Sequence, residues 1–174
     1  MSARTELPPP APLPVEPTGG DGPMRAHTRS CFGCGPENPD GLGLRFVRDG
    51  DVVRSGATIE RRHEGAPGLA HGGIVASLLD DMSGAIPRAL GQRAVTANLQ
   101  IDFAAPVVIG RPLVAEAWLE AFEGRKIRIV SRLLDDGTVV ATGRALFLVV
   151  PVEHFTSRRP GGEEAAGDAA SVAP

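Results

Sequence analysis

Only one stretch of this chain, residues 71–90, carries its apolar residues at helical spacing; the other apolar runs alternate at the period of a strand. That contrast narrows the possible folds more than any other feature. At 3.6 residues per turn, Ile74, Val75, Leu78, Leu79, Met82, Ala85 and Ile86 fall within one arc of roughly 140°. This arc is the expected core face, and Pro87 is expected to end or kink the helix. Strands are expected over 42–47, 52–60, 95–103, 113–122, 126–134 and 138–150. The turn sequences Asp49-Gly50-Asp51 and Asp135-Asp136-Gly137 join two of the pairs. In 95–103, Val95, Ala97, Leu99, Ile101 and Phe103 alternate with Thr96, Asn98, Gln100 and Asp102. Six strands with one long helix inserted among them predict an α+β domain, an antiparallel sheet with the helix covering one face.

Composition bounds the rest. Residues 1–27 are rich in Pro and Gly and are expected to form a disordered tail, as are residues 157–174, which leaves 28–156 as the folded domain. The net charge is −3, with one Trp, six Phe and no Tyr. That balance argues against nucleic acid as a partner. No apolar run is long enough for a membrane span. The sequence shows no secretory signal pattern, so a cytoplasmic location is expected. Cys31 and Cys34 are the two cysteines, too few for a disulfide framework. Their spacing is that of half a zinc site, but His27, His63 and His154 follow at no matching interval. A redox pair would call for a βαβ context that the sequence lacks. They are read as structural thiols, with no metal and no cofactor expected.

The helix has an unusual second face. Opposite the apolar arc lie Gly73, Ala76, Ser77, Asp80, Ser83 and Gly84, small residues where a surface helix carries Lys, Glu and Arg. Asp80 sits near the centre of that face and Asp81 at the edge of the apolar arc, which makes Asp80 the stronger chemical candidate. The plainer alternative is a pair of solvated acids. The helix is preceded by Pro67-Gly-Leu-Ala-His71-Gly-Gly73. Unbonded N–H groups at a helix start, with the positive end of its dipole, suit a carbonyl oxygen that gains negative charge. Glycines there allow close approach, although a tight turn alone also explains them. The glycines and Asp80 lie about two turns apart, too far to act on one carbonyl from one chain. The acid is therefore expected to work on a substrate held by a partner subunit's glycines.

The segment His71-Gly-Gly-Ile-Val-Ala-Ser-Leu-Leu-Asp80 resembles the hotdog-fold thioesterases, in particular the phenylacetate-pathway and THEM4-like acyl-CoA thioesterases. Three further passages are similar: 96–106 (Thr-Ala-Asn-Leu-Gln-Ile-Asp-Phe-Ala-Ala-Pro), Glu123-Gly-Arg-Lys-Ile with the closing hairpin 140–147, and the lead-in Cys31-Phe-Gly-Cys-Gly-Pro-Glu-Asn-Pro-Asp-Gly-Leu42. The resemblance implies a hotdog fold, an antiparallel sheet wrapped around one long central helix. It implies a homodimer or homotetramer with sites at subunit interfaces, and hydrolysis of acyl-CoA to free acid and CoA. By the same resemblance Gly72, with Gly73, polarises the thioester carbonyl, and Asp80 acts as general base or nucleophile. His71 positions the thioester or the loop, and Thr96 places water or the acid. The chain departs from some relatives at Gly65, where they carry a polar residue. Arg125 and Lys126, and more weakly Arg88 and Arg93, are candidates to meet CoA phosphates, against the simpler reading of surface charge. Asn38 forms a turn with Pro39 or lines the acyl pocket, and Trp118 is core or interface. The rival readings are a hotdog enoyl-CoA hydratase or dehydratase, for which no His follows the helix at the needed place, and a non-catalytic acyl-CoA-binding protein.

Overall fold

In a computed structural model, residues 6–12 and 21–156 are described. In chain order come β1 (Gly22–Pro23), β2 (Val47–Asp49), β3 (Val52–Thr58), a 3-10 turn (Arg61–His63), α1 (Gly72–Ala89), β4 (Ala94–Phe103), β5 (Pro112–Glu123), β6 (Lys126–Asp135), β7 (Thr138–Val149) and the short α2 (Glu153–Thr156). All strands join one antiparallel sheet in the order β1-β2-β3-β5-β6-β7-β4. The expected hairpins form where the turn residues allow it. Gly50 (φ 59°) turns β2 into β3, and Asp136 (φ 48°) with Gly137 (φ 74°) turns β6 into β7, the left-handed pair that a two-residue hairpin needs.

Helix α1 packs against β3, β4, β5, β6 and β7, so the sheet wraps it. Val75, Leu78, Leu79, Met82, Ala85 and Ile86 are all buried, against Ile127, Ile129, Leu133, Ala145 and Phe147 of the sheet. Each large apolar side chain so buried contributes about 1.5–3 kcal/mol. Pro87 lies in the last turn, and the helix stops within one turn of it, capped at Leu90. The small-residue face is only partly open. Ser83 is fully buried, donating to Leu79 O (2.7 Å) and meeting Ser131 Oγ (3.3 Å). A wrapped helix buries more of its circumference than one lying on a sheet, so angular position by itself overstated the open face.

Two local differences from the sequence reading have clear causes. The strand expected over 42–47 is mostly not in the sheet. Leu44 and Phe46 are buried at the expected period of two. The backbone of this segment, however, bonds to loop backbone: Leu42 N–H to Phe32 O (2.8 Å) and Leu44 N–H to Gly33 O (2.9 Å). The pattern reported burial correctly but not the partner. Of the tail expected over 1–27, the described parts touch the domain, while the tail expected over 157–174 lies outside the described residues. Pro8 O accepts from Trp118 Nε1 (3.0 Å), and Ala11 N–H donates to Leu119 O (3.0 Å). Trp118 is buried, with 4% exposure, and a buried indole N–H needs such an acceptor.

Candidate active site

The start of α1 is held by its own loop. His71 is the N-cap, in extended conformation, and its Nδ1 accepts from Gly73 N–H (2.9 Å). That bond satisfies one of the orphan donors of the first turn. With Nδ1 accepting, the ring's own N–H is at Nε2, on a residue that is exposed. The two glycines are thereby distinguished. The Gly73 N–H is committed to His71, whereas the Gly72 N–H meets no acceptor among the described residues. A side-chain carbon at Gly72 would lie 3.7 Å from the ring of Phe103, itself 56% exposed.

Gly65 has a packing reason. A Cβ there would come within 2.8 Å of His71 Cα, so the chain trades a polar side chain at this point for close contact with the cap. Gly65 N–H donates to Leu69 O (2.9 Å) and His71 N–H to His63 O (2.9 Å), which closes the loop before the helix.

Asp80 projects from the second turn beyond the glycines. Its Oδ1 accepts from Thr96 Oγ1 (3.0 Å). Burial pushes its carboxyl above the usual carboxylate range, and the Thr96 hydroxyl opposes that rise. Strict alternation had placed Thr96 on the face away from Leu99 and Ile101. The register between β4 and β7 shifts between Thr96 and Asn98, where Ala97 is the extra residue. One extra residue reverses the facing of everything on one side of it. Thr96 therefore pairs with Phe147 on the helix side and reaches Asp80.

Asp81 is in a different environment, under the lead-in segment. Cys31 Sγ donates to its Oδ1 (3.5 Å), and Oδ2 is buried with no hydrogen-bond partner among the described residues. Burial, and next the neighbouring Cys31, push this carboxyl up to about 6. Gly33 makes the contact possible, because a Cβ there would fall 2.1 Å from Asp81 Cγ. Gly33→Ala is expected to lower stability by about 1–3 kcal/mol through overpacking, a drop of several degrees in Tm by calorimetry. An unchanged Tm would show that the segment does not press on the helix.

The remaining candidates are less closely placed. Lys126, Leu148 and Val95 form one row across the sheet, so Lys126 lies two strands, about 10 Å, from the strand of Thr96. Its neighbour Ile127 is in the core, so Lys126 faces the opposite side of the sheet from Asp80. Arg125 sits beside it, exposed, at the β5–β6 turn. Arg88 stacks over Phe46 (4.8 Å) and donates to Gly84 O and Arg25 O, a structural use. Asn38 closes a turn, donating to Ser30 O (3.1 Å) and accepting from Asp40 N–H (3.0 Å). Its amide is occupied at both ends by the loop.

An antiparallel sheet wrapped around one long helix, with a donor at the helix start and an acid farther along it, is the hotdog architecture. Residues 67–147 match the sequence model of the family described as Thioesterase superfamily, and this domain belongs to that superfamily. The chain is 32% identical over 124 residues to the acyl-coenzyme A thioesterase THEM4 of Bos taurus, covering 68% of this chain and 51% of that one. A crystal structure of a thioesterase superfamily protein superposes with TM-score 0.66 at 30% identity, over 69% of this chain and 60% of that one. A phenylacetic acid degradation-related protein of Ralstonia eutropha JMP134 gives TM-score 0.58 at 28% identity, over 62% of this chain and 86% of that one. The chain spans 37% to 51% of the length of the curated relatives it matches.

Proposed function

We propose that this chain hydrolyses acyl-CoA thioesters to the free acid and CoA. The observation that carries the reading is the Thr96–Asp80 hydrogen bond, which fixes one carboxylate oxygen and leaves the other for chemistry. The name of the bovine relative, an acyl-coenzyme A thioesterase, agrees with it. Thioester hydrolysis asks for two things, a donor for the oxyanion and a base for water. The Gly72 N–H supplies the first and Asp80 the second.

Eight residues of helix separate them, about 12 Å of rise. One carbonyl cannot be served by both from one chain, so the site is completed by a second copy. Strand β4 suits that contact: it ends the sheet, and a long edge strand is a pairing surface. The thioester oxygen accepts from Gly72 N–H of one subunit, with the Nε2–H of His71 positioning the substrate. Asp80 of the second subunit takes a proton from water as the water oxygen attacks the carbonyl carbon. The C–S bond of the tetrahedral intermediate then breaks, and the departing CoA thiolate takes up the proton that Asp80 had accepted. Asp80 acting as nucleophile uses the same unoccupied oxygen. Arg125 and Lys126 meet CoA phosphates only where the cofactor-like tail of the substrate crosses the far face of the sheet.

The test is release of free CoA thiol from a panel of short, long and aromatic acyl-CoAs by the full chain. Turnover of at least one is expected. Acyl-CoA binding with no release would overturn hydrolysis and leave a binding protein. Thr96→Val is expected to lower kcat and to move the acidic limb of the pH–rate profile to higher pH, because the lost hydroxyl stabilised the ionised acid. An unmoved limb would remove Thr96 from the site.

A further inference from the structure

The reaction leaves unused a second cluster, between the lead-in segment and α1, one residue from Asp80. Cys31, Cys34 and Asp81 each offer one ligand atom, and these atoms all lie within 4.8 Å of one another. Cys34 is fully buried, and Cys31 and Asp81 are half-buried. His27 N–H donates to Cys34 Sγ (3.2 Å), which sets that residue beside the cluster, and Cys31 Sγ lies 3.5 Å from Asp81 Oδ1. A bound metal ion draws off the thiol protons itself. The carboxylate is the discordant group. Among the described residues Asp81 Oδ2 is buried without a hydrogen-bond partner, and an unpaired buried anionic oxygen is costly.

We propose that this cluster binds one zinc ion through the Cys31 and Cys34 thiolates and the Asp81 carboxylate, with the exposed His27 imidazole closing the fourth position from the solvent side. Two thiolates with one imidazole and one carboxylate make a tetrahedral donor set that suits zinc. Zn–S bonds of about 2.3 Å put two sulfurs about 3.8 Å apart at the tetrahedral angle, so the two sulfurs need to approach by at most about 1 Å from the present 4.8 Å limit. Charge also balances. Two thiolates and a carboxylate against a divalent ion leave one negative charge, and Arg88 is the cation that acts on both Cys34 and Asp81. A Cys31–Cys34 disulfide fits less well. It removes the S–H that donates to Asp81 Oδ1 and leaves both carboxylate oxygens without a donor. The ion would fasten the lead-in segment to α1 beside Asp80. It has no step in thioester hydrolysis, so its test is independent of that reading.

The experiment is metal analysis by mass spectrometry of untagged full-length protein purified without chelator, paired with titration of its thiols. About one zinc per chain is expected, with a thiolate-to-cobalt charge-transfer band after replacement by Co²⁺. Cys31→Ser and Asp81→Asn are each expected to bind zinc at least tenfold more weakly, the first with a diminished cobalt band. Chelator should lower Tm in the wild type but not in these variants, since metal binding is part of folding stability. Folded wild-type protein with two free thiols that takes up neither zinc nor cobalt would overturn the site. So would a Cys31–Cys34 disulfide in freshly purified protein, or cobalt uptake with no sulfur-to-metal band.

Discussion

Asp80→Asn is expected to lower kcat for acyl-CoA hydrolysis by about 10²–10⁴-fold, the range for losing a general base, while protein stability at neutral pH holds or rises. The two halves of this result come from one cause. Burial raises the Asp80 carboxyl above its ordinary value of 3.8. The folded state then holds a proton that the unfolded chain gives up. The stability this contributes is complete below 3.8 and is lost as pH climbs through the raised value. At neutral pH the ionised Asp80 is a net cost to the fold, and a neutral Asn of the same shape relieves it. Activity runs the other way, because the base works only when ionised, so the wild-type rate falls on the acid side and the variant loses that limb. Paired measurements of kcat against pH and of Tm at neutral pH check both. Unchanged kcat, or a Tm that falls with activity, would reassign Asp80 to a structural role.

Gly72→Pro is the second large effect. It removes the one N–H that the oxyanion proposal needs and little else. Proline is favoured at the first helical position, where its missing donor is an orphan in any case. His71 before it already has φ −65° and ψ 134°, an extended shape compatible with a following proline. A Cβ at this point meets only ordinary contact with Phe103. The helix should therefore stand, with far-UV circular dichroism unchanged. Loss of one oxyanion donor should lower kcat by about 10²–10³-fold. Gly72→Ala keeps the N–H and is expected to retain most activity. If proline and alanine behave alike, the glycine serves the turn and not the carbonyl.

Much of the fold was legible because its signals are local. The apolar arc of α1 and the turn residues Gly50, Asp136 and Gly137 each act within a few positions of themselves. Asp80 was separable from Asp81 by angle alone. The strand expected at 42–47 failed for the opposite reason, since alternation records which side chains are buried and says nothing of which backbone the segment bonds to. The sequence also divided the small-residue face too generously, because Ser83 is covered by Ser131, a neighbour supplied by another strand.

By itself the amino-acid order determined the helix, its apolar stripe, the glycines at its start and the acid two turns along. Those follow from periodicities of 3.6 and 2 and from backbone freedom at glycine. Only the tertiary structure decided which of two adjacent glycines keeps an unbonded N–H, since that depends on the rotamer of His71. It alone brought Thr96 to Asp80, through one bulged residue that reverses a strand's facing. It alone set Asp81 against Cys31 across 50 positions of chain, a distance at which spacing carries no information and packing carries all of it.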